Sequence, residues 1–255
     1  MTRPRAELPT LAVALLASLV LWNLPFGGLV LYPFKLLATW LHELSHGLAM
    51  TLTGVGFDDV MIYRDTSGLA HASGSGGGFA SAVIAAAGYM GTALWGALLL
   101  VVTPTAKAAR RALIVLAALL GASALFAVGN AFGAWAIGAI AVAFALAAVV
   151  VPSRARLFVA HFVAAQACVD ALLDIRVLLR PQQVVDGHIA GASDATNMAL
   201  ATFGTRDSWA IWLWAMVWLV WALIVLFIAL RISARRASQL ADALPVRTGE
   251  LPPQP

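Results

Sequence analysis

The sequence predicts an all-α polytopic membrane protein of about seven transmembrane helices, within a range of six to eight. A short β-hairpin or loop is predicted after the helix that carries an H-E-x-x-H sequence. Hydrophobic residues make up 62% of the 255 residues and charged residues 11%, whereas soluble domains average about 45–50% apolar and about 25% charged residues. The apolar residues also fall in runs near the roughly 20 residues that a helix needs to cross a bilayer.

Seven apolar runs are separated by prolines, glycines and basic residues. Pro25 with Gly27 ends the first run, Pro104 separates the third from the fourth, and Pro152 separates the fifth from the sixth. The fourth and fifth runs meet at Gly129 with almost no loop between them. The predicted spans are residues 9–25, 28–50, 79–102, 111–129, 132–151, 156–178 and 209–231.

These spans are predicted to form one transmembrane domain, residues 1–235, followed by a polar, disordered tail at 236–255. The net charge of +4 is spread over loops and chain ends, which suits contact with a lipid bilayer that carries anionic headgroups. Nothing in the sequence indicates a nucleic-acid surface. If every run crosses the membrane once, lysines and arginines are nearly balanced between its two sides, so the orientation stays open. The expected location is a multi-pass position in a bacterial plasma membrane.

Residues 54–78, between the second and third spans, are predicted to be non-helical. The stretch 60–64 alternates weakly, Asp65-Thr-Ser-Gly68 is a turn signal, and 69–73 follows as a second short strand. A hairpin here would offer a free strand edge to which an extended peptide could bind by strand addition. The alternative is an ordinary surface loop.

His42, Glu43 and His46 form the H-E-x-x-H sequence near the end of the second span. Residues four apart lie on one face of a helix, so both imidazoles can bind one metal ion, and Glu43 lies beside them to accept a proton from a water. Chance placement of the same residues would give this motif on the order of once in a thousand such chains. The alternative is a pair of hydrogen-bonded histidines with a buried Glu, but ionisable groups inside a membrane are costly and usually functional.

A catalytic zinc ion commonly takes three protein ligands and a water, so a third ligand is needed. The H-E-x-x-H-x-x-G-x-x-H pattern would require His at position 52, which is Leu52, and a downstream Glu would have to be Glu250 in the polar tail. Both soluble-protease solutions therefore fail. The remaining candidates are the aspartates and three other histidines, His71, His161 and His188.

Helix depth ranks the aspartates. His42 and His46 lie about 14 and 18 residues into the second span, and Asp170 and Asp174 lie about 14 and 18 residues into the sixth. With three spans between them, these two spans run in the same direction, so at about 1.5 Å per residue the depths match. This argument favours Asp170 as the third ligand. For Asp174, pairing with arginines near the membrane boundary is about as good an explanation as ligation.

Asp194 is the rival candidate. Ser193 or Asp194 precedes a short amphipathic stretch at 198–203 and is most simply interpreted as its N-cap, which we favour there over ligation. Asn197 is a candidate to donate a hydrogen bond to a substrate carbonyl, although asparagines are common in polar loops.

Five short motifs together resemble the M50B-like branch of the site-2 protease (M50) family, over residues 40–215. This resemblance implies an intramembrane zinc metalloendopeptidase that cleaves membrane proteins or peptides in or near transmembrane segments, in some cases within regulated proteolysis. It implies His42 and His46 as zinc ligands and Glu43 as the general base. The N-x-x-P and L-D-G sequences that supply the third ligand in better-known members are missing, so that role falls to Asp170 by position or to Ser-Asp-Ala as an altered L-D-G. The motifs are His42-Glu-Leu-Ser-His-Gly47, Thr53-Gly54, Asp65-Thr-Ser-Gly68, Ala87-Gly-Tyr-Met-Gly91 and Ser193-Asp-Ala195.

The predicted function is therefore zinc-dependent hydrolysis of peptide bonds in or near transmembrane segments. Two alternatives from other classes stay open at this point. One is a non-proteolytic membrane protein that binds or transports metal, and the other is an inactive protease-like adaptor.

Overall fold

The computed structural model describes residues 7–175, 179 and 181–242. Within these residues the chain forms eight α-helices and two antiparallel β-hairpins. The helices are α1 (Glu7–Asn23), α2 (Gly27–Leu52), α3 (Gly78–Val102), α4 (Ala106–Phe126), α5 (Ala131–Val150), α6 (Ser153–Leu173), α7 (Asp194–Phe203) and α8 (Ser208–Asp242). The hairpins are β1 (Phe57–Ile62) with β2 (Gly68–Ala72) and β3 (Gln182–Val185) with β4 (His188–Ala192).

Five helices, α3 to α6 and α8, are each long and apolar enough to cross a membrane. The helices α1 and α2 pass the same test only together, and a bend of 117° separates them. The turn between them is tight, since a side chain at Gly27 would collide with the backbone carbonyl of Leu21. The predicted all-α multi-pass membrane fold is confirmed, with five spans in the described residues, or six if the bent pair counts as one.

The hairpin predicted between the second and third spans is present as β1 and β2, and the outer edge of β1 is bonded to the linker between α4 and α5. The Val60 amide donates to the Ala127 carbonyl at 2.8 Å, and the Gly129 amide donates to the Val60 carbonyl at 2.9 Å. The Asn130 side chain bonds both backbone groups of Ile62, at 3.1 and 2.7 Å. The fourth and fifth spans are therefore two separate helices, as predicted.

These bonds also determine which edge of the hairpin is free. In an antiparallel pair, successive residues point their backbone groups alternately toward and away from the partner strand. Because Val60 and Ile62 point away from β2, their cross-strand neighbours Ala70 and Gly68 point away from β1. This edge of β2 has no strand partner, although the Gly68 carbonyl accepts from the Gln183 side chain at 3.3 Å and the Ala70 backbone is hydrogen-bonded to Glu43 of α2. A side chain at Gly68 would also collide with Glu43.

We expect Asn130→Ala to destabilise the protein by about 1–3 kcal/mol, because the substitution leaves the backbone groups of Ile62 without partners. Thermal unfolding of the detergent-solubilised protein measures the effect. A matched control is Asn23→Ala, since Asn23 is exposed and donates only to the Leu19 carbonyl within its own helix. Equal loss of stability in the two variants would contradict the bracing role of Asn130.

The main core packs apolar side chains of α2 against α4, α5 and α6. Trp40 of α2 is 1% exposed, and its Nε1 donates to the Ser123 hydroxyl at 2.8 Å. A second buried cluster holds α7 between α3 and α8, with Ala195, Tyr89 and Trp218 among its members. The last helix continues to Asp242, into the segment predicted as a tail, and residues 243–255 lie outside the described residues.

Candidate metal centre

The two histidines of the H-E-x-x-H sequence lie one turn apart on α2 and point at each other. Their Nε2 atoms are 3.0 Å apart, and the rings meet edge to face with centroids 4.7 Å apart. This is the arrangement that the i, i+4 spacing predicts for residues on one helix face.

Asp194, the first residue of α7, completes the group. Its Oδ2 lies 3.1 Å from Nε2 of His42 and 3.2 Å from Nε2 of His46. Among the described residues, these three form the one cluster of His, Cys, Asp or Glu whose potential ligand atoms lie within 4.8 Å of one another. The N-cap of α7 is Ser193, whose hydroxyl accepts from the Thr196 amide at 3.3 Å. Capping therefore does not occupy Asp194.

The hydrogen bond of His46 to α3 decides what the cluster can hold. Nδ1 of His46 lies 2.7 Å from the Ile84 carbonyl, which only accepts, so Nδ1 carries a proton. In a neutral ring, Nε2 then presents a lone pair to the Asp194 carboxylate, and that contact is repulsive unless a proton or a metal ion lies between the two atoms.

Zinc fits this donor set. For metal–ligand bonds of about 2.0–2.1 Å, two ligand atoms of a tetrahedral zinc are about 3.3 Å apart, close to the observed separations of 3.0 to 3.2 Å. The nitrogen, nitrogen and oxygen donors are also those of catalytic zinc sites that keep one position open.

The charge state of Asp194 supports the same conclusion. This residue lies in α7, which is not among the candidate spans. In the metal-free site, burial raises the pKa of the Asp194 carboxyl, but attraction to the His46 and His42 rings in their protonated form, together with their hydrogen bonds, outweighs that effect and holds the pKa below its ordinary value. A metal ion in place of those protons would act in the same direction. The side chain is therefore an anionic oxygen donor at neutral pH.

A glycine of α3 makes room for the histidines. A Cβ at Gly88 would lie 2.5 Å from Nε2 of His46 and would also collide with the His42 ring. Tyr89, the next residue, packs edge to face on His42 at 4.7 Å and stacks on Trp218 of α8. The Gly88-Tyr-Met-Gly91 sequence therefore packs α3 against the histidine helix and also fixes one imidazole.

We expect Gly88→Ala to lower the affinity for zinc by about 10- to 100-fold or more, because the new methyl group occupies the space beside both Nε2 atoms. Zinc per chain after dialysis against buffered zinc measures the change. Gly121→Ala is the matched control, since its Cβ would meet only the Ala141 methyl at 4.0 Å. Unchanged zinc binding by Gly88→Ala would contradict the placement of the site.

Two cavities meet at this cluster. One has a volume of about 490 Å³ and is lined by His46, Glu43, Asp194 and the free edge of β2 at Ala70. The other has a volume of about 350 Å³ and is lined by His42, Glu43 and Asp194 on its other side. Glu43 is 4% exposed, and it belongs to both cavities without being part of the three-residue cluster. A general base beside a metal needs this position, close to the substrate space but not used as a ligand.

The sequence profile of one family, described as Peptidase M50B-like, matches residues 11–229. This chain belongs to the Peptidase M50B-like family. No curated protein and no solved structure matches the chain. Peptidases of the M50 family are generally zinc-dependent, which agrees with the donor set formed by His42, His46 and Asp194.

The expectation that Asp170 lies beside the histidines needs correction for this M50B-like chain. Asp170 is buried in α6, outside the cluster, and its Oδ2 has no hydrogen-bond partner in the described part of the chain. Gln166, one turn earlier on the same helix face, accepts a hydrogen bond from Trp22 of α1 at 3.3 Å. Helix depth gives the height of Asp170 but not the direction of its side chain, which lies on the face of α6 that carries Gln166 and not in the cluster.

The other two candidate residues lie near the M50B-like site without joining the cluster. Asp174 lines the smaller cavity, and its backbone carbonyl accepts from the Tyr89 hydroxyl at 3.4 Å. Asn197 lines the larger cavity, and its side-chain amide donates to the Ala192 carbonyl at 3.2 Å. Two arginines follow Asp174 closely in the sequence and could pair with it. They are Arg176 and Arg180, and both lie outside the described residues.

The second hairpin is a feature that the sequence analysis missed. Gln183 of β3 lines both cavities and donates to the Gly68 carbonyl of β2 at 3.3 Å. The Asp186 amide, in the turn, donates to the Ser67 hydroxyl at 3.1 Å. The alternation that could have revealed β3 covers only four residues, Gln182–Val185, which is too short to separate from a loop.

Proposed function

We propose that this M50B-like protein is an intramembrane zinc metalloendopeptidase. The observation that carries the proposal is the cluster of His42, His46 and Asp194, in which the Nδ1 bond of His46 leaves a lone pair directed at an anionic oxygen. The placement of Glu43 between the two cavities and beside this cluster supports hydrolysis rather than metal storage.

His42, His46 and Asp194 would hold the zinc ion, which when bound acts as a Lewis acid toward the scissile carbonyl and lowers the pKa of a water. Glu43 takes a proton from the attacking water and later passes it to the leaving amine. The buried setting of Glu43 limits competition from bulk solvent, while the cavities on both sides admit a peptide and water.

The substrate class follows from the free edge of β2. The backbone groups of Gly68 and Ala70 point away from β1, toward the side on which Glu43 lies, and Ala70 lines the larger cavity. A peptide in extended conformation could add to this edge by replacing the Gln183 side chain at the Gly68 carbonyl and Glu43 at the Ala70 backbone, and so bring its own backbone to the site. Because helical peptide bonds are protected by their own hydrogen bonds, we expect cleavage where a transmembrane segment has unwound, in or near a membrane-protein substrate.

We place this activity in a bacterial plasma membrane, where cleavage of a membrane protein would release a segment as in regulated proteolysis. Support comes from the five or six apolar helices and from the peptidase family to which the chain belongs.

Metal removal tests the proposal. The full chain, purified in detergent and reconstituted into liposomes, is incubated with a set of designed transmembrane peptides. We expect cleavage that a zinc chelator abolishes and that stoichiometric zinc restores, while magnesium does not restore it. A chain that binds one zinc ion but cleaves no peptide in the set, or cleavage that persists in the metal-free protein, would overturn the proposal.

A further inference from the structure

Basic side chains are concentrated at one end of the helical bundle. Eight of the lysines and arginines in the described residues lie at the start of α4, the start of α6 or the last turns of α8. They are Lys107, Arg110 and Arg111 of α4, Arg154 and Arg156 of α6, and Arg231, Arg235 and Arg236 of α8.

Contacts show that these three segments adjoin one another. Arg236 Nη1 donates to the Val101 carbonyl at 2.7 Å, which joins the end of α8 to the end of α3. Ala106 and Ala109 of α4 form one buried cluster with Leu157 and Ala160 of α6. The basic end, defined by the eight residues above, is therefore a single surface of the bundle.

The cavities open at the other end. Gly76 and Gly78, at the start of α3, line the larger cavity together with β2 and α7. The 25 residues of α3 span about 37 Å, which exceeds the roughly 30 Å of the hydrocarbon layer. The basic end and the mouth of the site are therefore on opposite sides of the membrane.

The bent pair α1–α2 places the start of the described chain at the basic end as well. Ala14 of α1 shares a small buried cluster with Phe162, nine residues after the basic start of α6 at Ser153, and Phe158, five residues after that start, packs against the cluster. Trp22, near the end of α1, instead reaches Gln166, thirteen residues into α6 from its basic start. If α1 and α2 together cross the membrane once, the chain crosses six times, and the two ends of its described part lie on the same side. The lysines and arginines are then no longer balanced between the two sides, as they are when seven separate crossings are assumed.

Cations are fewer at the cavity end. Outside the basic end, the described lysines and arginines are Arg64 beside the first hairpin, Arg206 before α8 and Lys35 of α2, whose Nζ lies 4.4 Å from the centre of the Trp22 ring. Arg176 and Arg180 fall in the gap between the described residues of the α6–β3 connection. Even if Lys35, Arg176 and Arg180 are all counted with the cavity end, the basic end has eight lysines and arginines against five. The excess of lysines and arginines is what sets the orientation of a membrane protein.

We propose that the basic end faces the cytoplasm, against the anionic lipids of that leaflet, and that the cavity with His42, Glu43, His46 and Asp194 opens on the non-cytoplasmic side. What this orientation means for substrates rests on the proposed function. The substrates are membrane proteins whose scissile segment lies in the non-cytoplasmic half of the bilayer or just beyond it.

Cysteine labelling in intact bacterial cells tests the orientation. The chain has a single cysteine, Cys168, which is buried, so Cys168→Ala provides the background. Ser75→Cys, in the exposed loop before α3, and Ser153→Cys, at the exposed start of α6, are matched probes at opposite ends. A membrane-impermeant maleimide is expected to label Ser75→Cys in intact cells and Ser153→Cys only after permeabilisation.

The reverse pattern, or labelling of both positions in intact cells, would overturn the proposed orientation. Reaction of both positions only after permeabilisation would overturn it too. Labelling does not depend on peptide hydrolysis. A chain that labels as expected but cleaves nothing therefore contradicts the proposed function alone, and a zinc-dependent protease with the reverse labelling contradicts the orientation alone.

Discussion

Glu43→Gln is expected to lower the rate of peptide cleavage by about 100- to 10,000-fold while leaving the bound zinc in place. The amide keeps the size of the carboxylate but cannot accept the proton of the attacking water, and general-base catalysis is worth a factor of this order. Glu43 lies outside the cluster formed by His42, His46 and Asp194, so its substitution removes no ligand. Cleavage of a designed transmembrane peptide and zinc per chain are measured on the same preparation.

Asp207→Asn is the matched control for Glu43→Gln, because it makes the same chemical change at an exposed residue before α8. It should retain both cleavage and zinc. Cleavage by Glu43→Gln at the unsubstituted rate would remove Glu43 from the proposed chemistry. Loss of zinc from Glu43→Gln would instead mean that Glu43 supports the cluster.

Asp194→Ala is expected to lose zinc, whereas Asp170→Ala and Asp174→Ala retain it. The Asp194 Oδ2 lies 3.1 and 3.2 Å from the two imidazole nitrogens, so its removal should cost more than the roughly 10- to 100-fold loss seen when a group that only orients a ligand is removed. Asp170 lies outside the cluster, on the face of α6 that carries Gln166. Zinc per chain after dialysis against buffered zinc measures all three variants.

The three variants delete the same carboxylate group, so each controls for the others. If Asp170→Ala alone loses the metal, the earlier depth argument is right and Asp194 is not the third ligand. If all three variants lose zinc and also unfold at a lower temperature, the cause is lost stability of the protein. Thermal unfolding is therefore measured in parallel, to separate stability from metal binding.

Hydrophobic periodicity and the positions of proline and glycine were sufficient to predict the long helices from α3 to α6, α8 and the first hairpin. The helices α3 to α6 and α8 follow apolar runs bounded by Pro104, Pro152 and glycines, and the turn signal at Asp65-Thr-Ser-Gly68 joins β1 to β2. The His42–His46 pair was also predictable, because two residues four apart on a helix have a fixed relation wherever the helix lies.

The third member of the cluster could not be predicted, because it depends on how the helices rotate and pack against one another in the folded chain. The rise per residue gives the depth of Asp170 along α6. The rotation of α6 about its axis follows instead from contacts with α1, in which Gln166 accepts from Trp22 and Phe162 packs with Ala14. At Ser193-Asp194, two adjacent residues are both good N-caps, and only the folded chain shows which hydroxyl or carboxylate takes that role.

The bend between α1 and α2 was equally out of reach. Pro25 and Gly27 mark a break in the apolar pattern, but a break does not determine the angle. The angle of 117° follows from how each helix packs, with α1 on α6 and α2 beneath the first hairpin. Because the bend makes α1 and α2 one crossing instead of two, it changes the number of crossings and the side of the membrane inferred for the loops.

The absence of a side chain at Gly88 gives a test that can be applied to related sequences. Any residue larger than glycine there would push into both imidazoles, so a relative could keep every letter of H-E-x-x-H and still be unable to hold its metal. Glycine at this position, rather than the motif alone, is therefore a criterion for separating competent enzymes from degenerate copies during sequence-based classification.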